Sequence, residues 1–198
     1  MEKIKLNAPV IVEGKYDKIT LSSILDADIL TLGGFSVFHE SERKDLLRRV
    51  AEKNGVIVLT DSDGAGKVLR GYLSSILPKE KVTHLYVPRI EGKEKRKKTA
   101  SKEGTLGVEG MDGHLIFDLL APFEDENTSR RLCENPLSKV DFFIDGLTGA
   151  PDSANKRDAL ALSLGLPRGM TPNALLAALR ILLSYEDYLK AVGRTDGN

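Results

Sequence analysis

Val56-Ile57-Val58-Leu59-Thr60-Asp61-Ser62-Asp63-Gly64-Ala65-Gly66 passes from an unbroken apolar run into a short acidic turn rich in glycine. An apolar side chain at every position fits a central parallel strand covered on both faces. The turn that ends it leads into a helical pattern from Ala65 to Leu77, with Val68, Leu69, Tyr72, Leu73, Ile76 and Leu77 on one stripe and Pro78 as the stop. A strand, an acidic turn and a helix in that order are the repeating unit of an α/β fold.

The same unit precedes it. Val10-Ile11-Val12 is a buried-strand run ending at Glu13-Gly14, and a helix follows from about Tyr16 to Leu25, with Ile19, Ile24 and Leu25 as its apolar positions. Ile29-Leu30-Thr31-Leu32 reads as a second strand stopped by Gly33-Gly34. Ser41 to Asn54 reads as a surface helix, with Leu46, Leu47, Val50 and Ala51 opposite a charged face, ended by Asn54-Gly55 as left-handed caps end helices. Val82 to Val87 is the fourth strand. Alternation of strands and helices predicts a mostly parallel, Rossmann-like sheet flanked by helices.

After the fourth strand the pattern breaks. Lys93 to Lys102 carries six basic residues and one acid without an apolar period, and reads as a loop. The glycine-rich stretch Gly104 to Gly113 leads to an apolar helix around Leu115 to Ala121. The boundaries expected are a catalytic domain over 1–121, a polar linker over 122–136 and a small all-helical module over 137–198. In that module Phe142, Phe143, Ile144 and Leu147 read as one apolar face, Asp152 or Ser153 caps a helix to Leu164, Thr171-Pro172 starts another, and Ser184 starts a last one that Gly193 stops.

Composition narrows the function. The chain has 198 residues, 41% of them hydrophobic, with 29 basic and 29 acidic side chains, so positive charge for a nucleic-acid partner must be concentrated locally. One cysteine, Cys133, forms no internal disulfide and no cysteine-rich zinc site. Glu2, Lys3, Lys5 and Asn7 interrupt any N-terminal signal-like run, and nothing approaches the ~20 apolar residues of a membrane span. A cytoplasmic location with no membrane partner is expected.

In open α/β sheets ligands gather at the carboxyl ends of the strands. Glu13 follows the first strand; Asp61 and Asp63 follow the central one. Residues two apart in an extended segment point the same way, so Asp61 and Asp63 can aim at one point. Carboxylates that converge repel one another, and a hard divalent cation with oxygen ligands resolves the repulsion. Mg²⁺, with Mn²⁺ as the alternative, takes few protein carboxylates and leaves room for phosphate oxygens. Gly64 and Gly66 let the backbone turn tightly, and the helix that follows faces its amides to an anion. Taken singly, Asp-x-Asp-Gly is also a common turn and Asp a common helix cap.

Two segments carry a resemblance. Val10-Ile11-Val12-Glu13-Gly14-Lys15-Tyr16-Asp17 and Val58-Leu59-Thr60-Asp61-Ser62-Asp63-Gly64-Ala65-Gly66 resemble the first and second motifs of the TOPRIM domain, in the right order and with helix, strand and helix between them. The resemblance spans roughly residues 8 to 115. It implies Glu13 as general acid/base and metal-site acid, Asp61 and Asp63 as magnesium ligands, and phosphodiester chemistry. Within TOPRIM the chain looks most like the ribonucleases that mature bacterial 5S ribosomal RNA, on its small size, the Gly107-Val108-Glu109-Gly110 segment and the tail run Gly146-Leu147 … Ser153 … Arg157 … Leu164-Gly165-Leu166-Pro167 … Asn173-Ala174-Leu175-Leu176. The second motif reads Asp-Ser-Asp-Gly where Asp-Pro-Asp is expected, and Gly110 stands where a His is expected, which leaves open a paralogue with another substrate.

The expected function is therefore a metal-dependent endoribonuclease acting on structured ribosomal RNA, with RNA favoured over DNA and a ribosomal protein as a further candidate partner. Candidate phosphate contacts are Gly14, Lys15, Asp17, Gly64, Gly66, Lys67 and the basic run Lys95, Arg96, Lys97 and Lys98, whose affinity would fall with salt; each lysine reads equally as solvated surface. Glu109 is a candidate further acid, or a turn residue. His39, His84 and His114 have no metal-ligand spacing. The alternatives are a primase-like nucleotidyl transferase, against which stands the lack of a zinc module, and a non-catalytic nucleic-acid or ribosome-assembly binding protein, which would have no use for convergent acids.

Overall fold

Val56–Thr60 (strand β5) has every residue buried. It can be so because it is an inner strand: the four-stranded sheet runs β4 (Ile29–Thr31), β2 (Val10–Val12), β5, β6 (Val82–Tyr86), and every pairing is parallel. The computed structural model describes residues 2–35, 40–93, 104–124 and 135–194. Two further strands, β1 (Ile4–Lys5) and β3 (Leu25–Asp26), form a separate parallel pair that the sequence does not announce, being two residues each.

Right-handed crossovers place each helix according to the direction of travel along the sheet. The step outward from β2 to β4 lays α1 (Lys15–Ile24) on one face. The steps back across to β5 and on to β6 lay α2 (Glu40–Asn54) and α3 (Gly64–Ile76) on the other. Side chains alternate to match. Val10, Val12, Ile57 and Leu59 join the cluster that holds Leu21 of α1 and Ile116 and Leu120 of α4 (Gly113–Leu120). Ile11, Leu30, Val56 and Val58 join the cluster beneath α2 and α3.

That second cluster continues into the C-terminal helices α5 (Lys139–Ile144), α6 (Ser153–Ser163), α7 (Pro172–Leu182) and α8 (Tyr185–Ala191). Helix α7 is the apolar one, with Leu175 through Leu179 and Ile181 buried, and it packs on β4 and α2 while α5 and α6 pack on it. Its start is as the sequence reads: Thr171 accepts the Ala174 N–H at 3.2 Å and Pro172 takes the first helical position. Gly55 and Gly193 sit at φ of 69° and 75°, the left-handed conformation expected of helix stops.

The charged side of α2 does more than face water. Arg48 donates to the Ile76 carbonyl, Arg49 to the carbonyls of Leu164 and Gly165, and Lys53 to that of Leu182, so α2 satisfies the open carbonyl ends of three other helices.

Three apolar assignments differ from the sequence reading. Phe142 and Leu147 are buried, but Phe143 and Ile144 are 68% and 63% exposed: neighbours on a helix diverge by about 100° and do not share a face. Ile19 is 55% exposed, and Leu21 is the fully buried residue of α1. Val68 is 74% exposed, at the edge of the α3 stripe. The basic run Lys95, Arg96, Lys97 and Lys98, most of the expected linker, and Cys133 and His39 lie outside the described residues. Among the described residues no helix is long and apolar enough to cross a membrane.

Candidate active site

Strand β2 leads to β4 on one side and lies beside β5 on the other, so the chain reverses direction between β2 and β5. At such a switch point the carboxyl ends of the two strands open a crevice. Glu13 leaves β2 there and Asp61 leaves β5 there.

Asp61 is gripped from several directions. The Arg70 guanidinium donates to the Thr60 hydroxyl at 2.5 Å and to the Asp61 carbonyl at 2.8 Å, and itself lies over the Tyr86 ring, 4.4 Å from its centre. The Val108 N–H donates to Asp61 Oδ1 at 2.8 Å. Two glycines make room: a Cβ on Gly66 would lie 2.1 Å from the Asp61 carbonyl oxygen, and one on Gly107 would lie 2.3 Å from Asp61 Oδ2. Gly66 thus serves an approach of the chain to itself. The Ser62 hydroxyl donates to the Val87 carbonyl and fixes the turn to the end of β6.

Asp63 is used differently. It stands in extended conformation before α3 and its Oδ1 accepts the Gly66 N–H at 2.8 Å, so one of its oxygens caps the helix. Gly64 and Lys67 lie exposed on the first turn of α3. Glu13 is exposed, and its carbonyl accepts the Gly33 N–H at 3.0 Å, which ties the segment after β4 to the crevice. Lys15 is exposed and begins α1.

Asp17 reaches back from the first turn of α1 to accept the Gly14 N–H at 2.9 Å, a local capping contact. Its carboxyl is pushed from its ordinary value of 3.8 up to about 6, mainly by burial; the Gly14 amide opposes this, and the negative charges of Asp61, Glu13 and Glu109 add to it. Those four acids share one electrostatic neighbourhood. Glu109 enters it on the 3₁₀ turn Val108–Gly110, held by the Thr20 hydroxyl on the Glu109 carbonyl at 3.4 Å.

Among the described residues, no three acidic, His or Cys side chains are gathered into a finished metal cage. By the chemistry of the donor set the residues fit a hydrated hard cation: all the donors are carboxylate oxygens, and their mutual repulsion is already felt at Asp17. Such a cation needs only one or two protein carboxylates. His84 hydrogen-bonds Ser74 at 3.0 Å, out on the β6 edge, and serves the fold.

Sequence reasoning missed Arg70 and the Val108 amide. Arg70 had a faint signal, a cation directly after Leu69 in the apolar stripe of α3. The Val108 contact had none, because it joins segments 47 positions apart.

No protein-family model matches the chain. Ribonuclease M5 of Lactiplantibacillus plantarum is 30% identical over 166 residues, covering 84% of this chain and 82% of that protein. Ribonuclease M5 of Fusobacterium nucleatum subsp. nucleatum is 28% identical over 192 residues, 96% of each chain. A solved small TOPRIM domain protein from Bacillus stearothermophilus resembles it over 63% of this chain and 90% of that one, with a TM-score of 0.41 and 22% identity.

Proposed function

We propose that this chain, which belongs to the ribonuclease M5 family, is a divalent-cation-dependent endoribonuclease that cuts a structured ribosomal RNA precursor at the crevice between β2 and β5. The observation that carries the reading is the placement of Glu13 and Asp61 on the two strands that flank the switch point, near enough to Asp17 that their charges add to the rise that burial causes there.

Glu13, Asp61 and the second oxygen of Asp63 would hold Mg²⁺, or Mn²⁺ in its place. When bound, the cation supplies positive charge to the oxygens of the scissile phosphate. Glu13, exposed at the mouth of the crevice, moves a proton to or from the reacting oxygens. The amides at the start of α3 and the side chains of Lys15 and Lys67 orient the phosphate. Arg70, Gly66, Gly107 and Val108 touch no substrate; they hold Asp61 in place. The fold supports RNA as the substrate only through the kinship just described, since phosphates of RNA and DNA present the same oxygens.

The test is a cleavage assay on labelled 5S rRNA precursor, an unrelated structured RNA and duplex DNA, each with Mg²⁺ and with chelator, beside the Asp61→Asn variant. Discrete cuts in the precursor, dependent on metal and absent in the variant, are expected. Equal cutting by the variant, or cutting in chelator, would sink the reading.

A further inference from the structure

Arg70 sets a permanent positive charge beside the acidic turn that holds Asp61 and Asp63. Yet both oxygens it meets there are uncharged: the Thr60 hydroxyl at 2.5 Å and the Asp61 carbonyl at 2.8 Å. A guanidinium binds a carboxylate about twice as strongly as a neutral acceptor, so something must hold this one away from the side chains of the two acids. We infer that Tyr86 does so. It is a positioning residue whose ring keeps Arg70 on the backbone of the turn and thereby keeps the Asp61 carboxylate open to a cation, an inference that rests on the reading of Asp61 given above.

The register of the sheet puts the ring in place. Tyr86 ends β6 and is the parallel partner of Thr60, the last residue of β5. Partners across a sheet share a face, so Tyr86 stands on the side from which α3 delivers Arg70. The guanidinium carbon lies over the ring, 4.4 Å from its centre, within reach of the negative π face. The Ser62 hydroxyl, donating to the Val87 carbonyl, ties the turn to the same strand end at a second point. A large ring left 50% exposed at the end of a strand adds little to the core; what it covers is Arg70.

The helical region shows the other outcome. There Arg194 donates to both carboxylate oxygens of Asp145 at 3.1 Å and neutralises that acid. Without the Tyr86 ring, Arg70 would turn toward Asp61 in the same way. The carboxylate would shift from the Val108 N–H that now seats it, and a cation would have to displace a guanidinium before it could bind.

The test uses the full chain carrying Tyr86→Leu or Tyr86→Phe, each alone and in an Arg70→Gln background. Mn²⁺ binding is read without RNA, from the electron paramagnetic resonance signal of the free ion. The seat of Asp61 is read in chelator, from the NMR shift of the Val108 amide. Tyr86→Leu is expected to weaken Mn²⁺ binding about fivefold and to move the Val108 amide. Tyr86→Phe, which keeps the ring, should do neither, and Tyr86→Leu should have no effect in the Arg70→Gln background. A Tyr86→Leu protein with wild-type Mn²⁺ affinity or an unmoved Val108 amide overturns the inference, as does an equal loss in Tyr86→Phe or in the Arg70→Gln background. Should the wild type bind no Mn²⁺ while the Val108 amide moves in Tyr86→Leu alone, Tyr86 stands as a positioning residue and the metal reading of Asp61 falls.

Discussion

The molecule holds two groups of acids, and they are built on opposite principles. In the helical region Asp141 and Asp145 are nearly buried, and each is met by donors. Both oxygens of Asp145 face Arg194 at 3.1 Å and one also takes the Tyr188 hydroxyl. Asp141 takes the Tyr185 hydroxyl at 2.8 Å, the Ser138 hydroxyl at 2.7 Å and the Ser138 amide at 2.9 Å. Burial alone would raise the Asp141 carboxyl; these hydrogen bonds and Arg194 outweigh it and hold the group below its ordinary value. At the strand ends burial raises Asp17, one amide opposes it, and the charges of three more carboxylates add to the rise instead of offsetting it. Acids matched to donors fasten helices together. On the function proposed here, acids that add to one another's charge are the ones that receive a cation.

The comparison breaks most visibly in activity. Glu13→Gln and Asp61→Asn are each expected to lower cleavage of precursor RNA by about 10²–10⁴-fold. The urea midpoint should change little, because the amide that replaces the Asp61 carboxylate keeps an oxygen for the Val108 N–H. A variant that unfolds instead would move the strand-end acids into the structural class.

Gly107→Ala sharpens it. The added methyl runs into the Asp61 carboxylate and should cost roughly 10–100-fold in rate by displacing it. Circular dichroism should stay native; unchanged kinetics would show that Asp61 need not sit where it does.

Tyr188→Phe tests the other group. The ring is fully buried and its hydroxyl donates to Asp145, so its loss should cost about 2 kcal/mol of stability in urea denaturation. Cleavage per folded molecule should not change.

The smallest effect is on pH, and it has opposite signs in the two groups. Folded Asp17 holds its proton more tightly than the unfolded chain does, so its contribution to stability is present at low pH and falls as pH rises from about 4 through about 6. Folded Asp141 holds its proton less tightly, so its contribution is present above the unfolded value and is lost as pH falls through the lower folded one. Asp17→Asn should therefore flatten the decline above pH 4, and Asp141→Asn the decline below it, in stability measured against pH with chelator present. Added Mg²⁺ should lower the Asp17 midpoint in an NMR titration; a midpoint indifferent to Mg²⁺ would count against a cation at the strand ends.

The sheet was legible because its cues are local. Val56–Leu59 is apolar without interruption, and the runs of β2, β4 and β5 each stop at or beside a glycine or an acid. The positions of Glu13 and Asp61 followed from the order of those strands. What stayed hidden depends on distant or tertiary partners. Nothing near Val68 says that it stands clear of the core. Nothing near Phe143 says which of two adjacent aromatics turns inward; Phe142 does, to stack with Tyr188 at 6.3 Å. Asp63 pairs with Asp61 on paper, yet the amide it caps lies three residues ahead and is closer to hand. The strands β1 and β3 are too short to carry a period at all.

The contact from Val108 to Asp61 also has a consequence in time. A chain is made from its first residue onward, at roughly 5–20 residues per second, and these partners are 47 positions apart. Both acidic motifs therefore leave the ribosome roughly 2–9 seconds before the segment that seats the second of them. A newborn molecule carries its blade before it carries the hand that steadies it. On the function proposed here, it is also surrounded by ribosomal RNA during that interval, and the later arrival of residues 107 and 108 keeps it blunt until they have emerged.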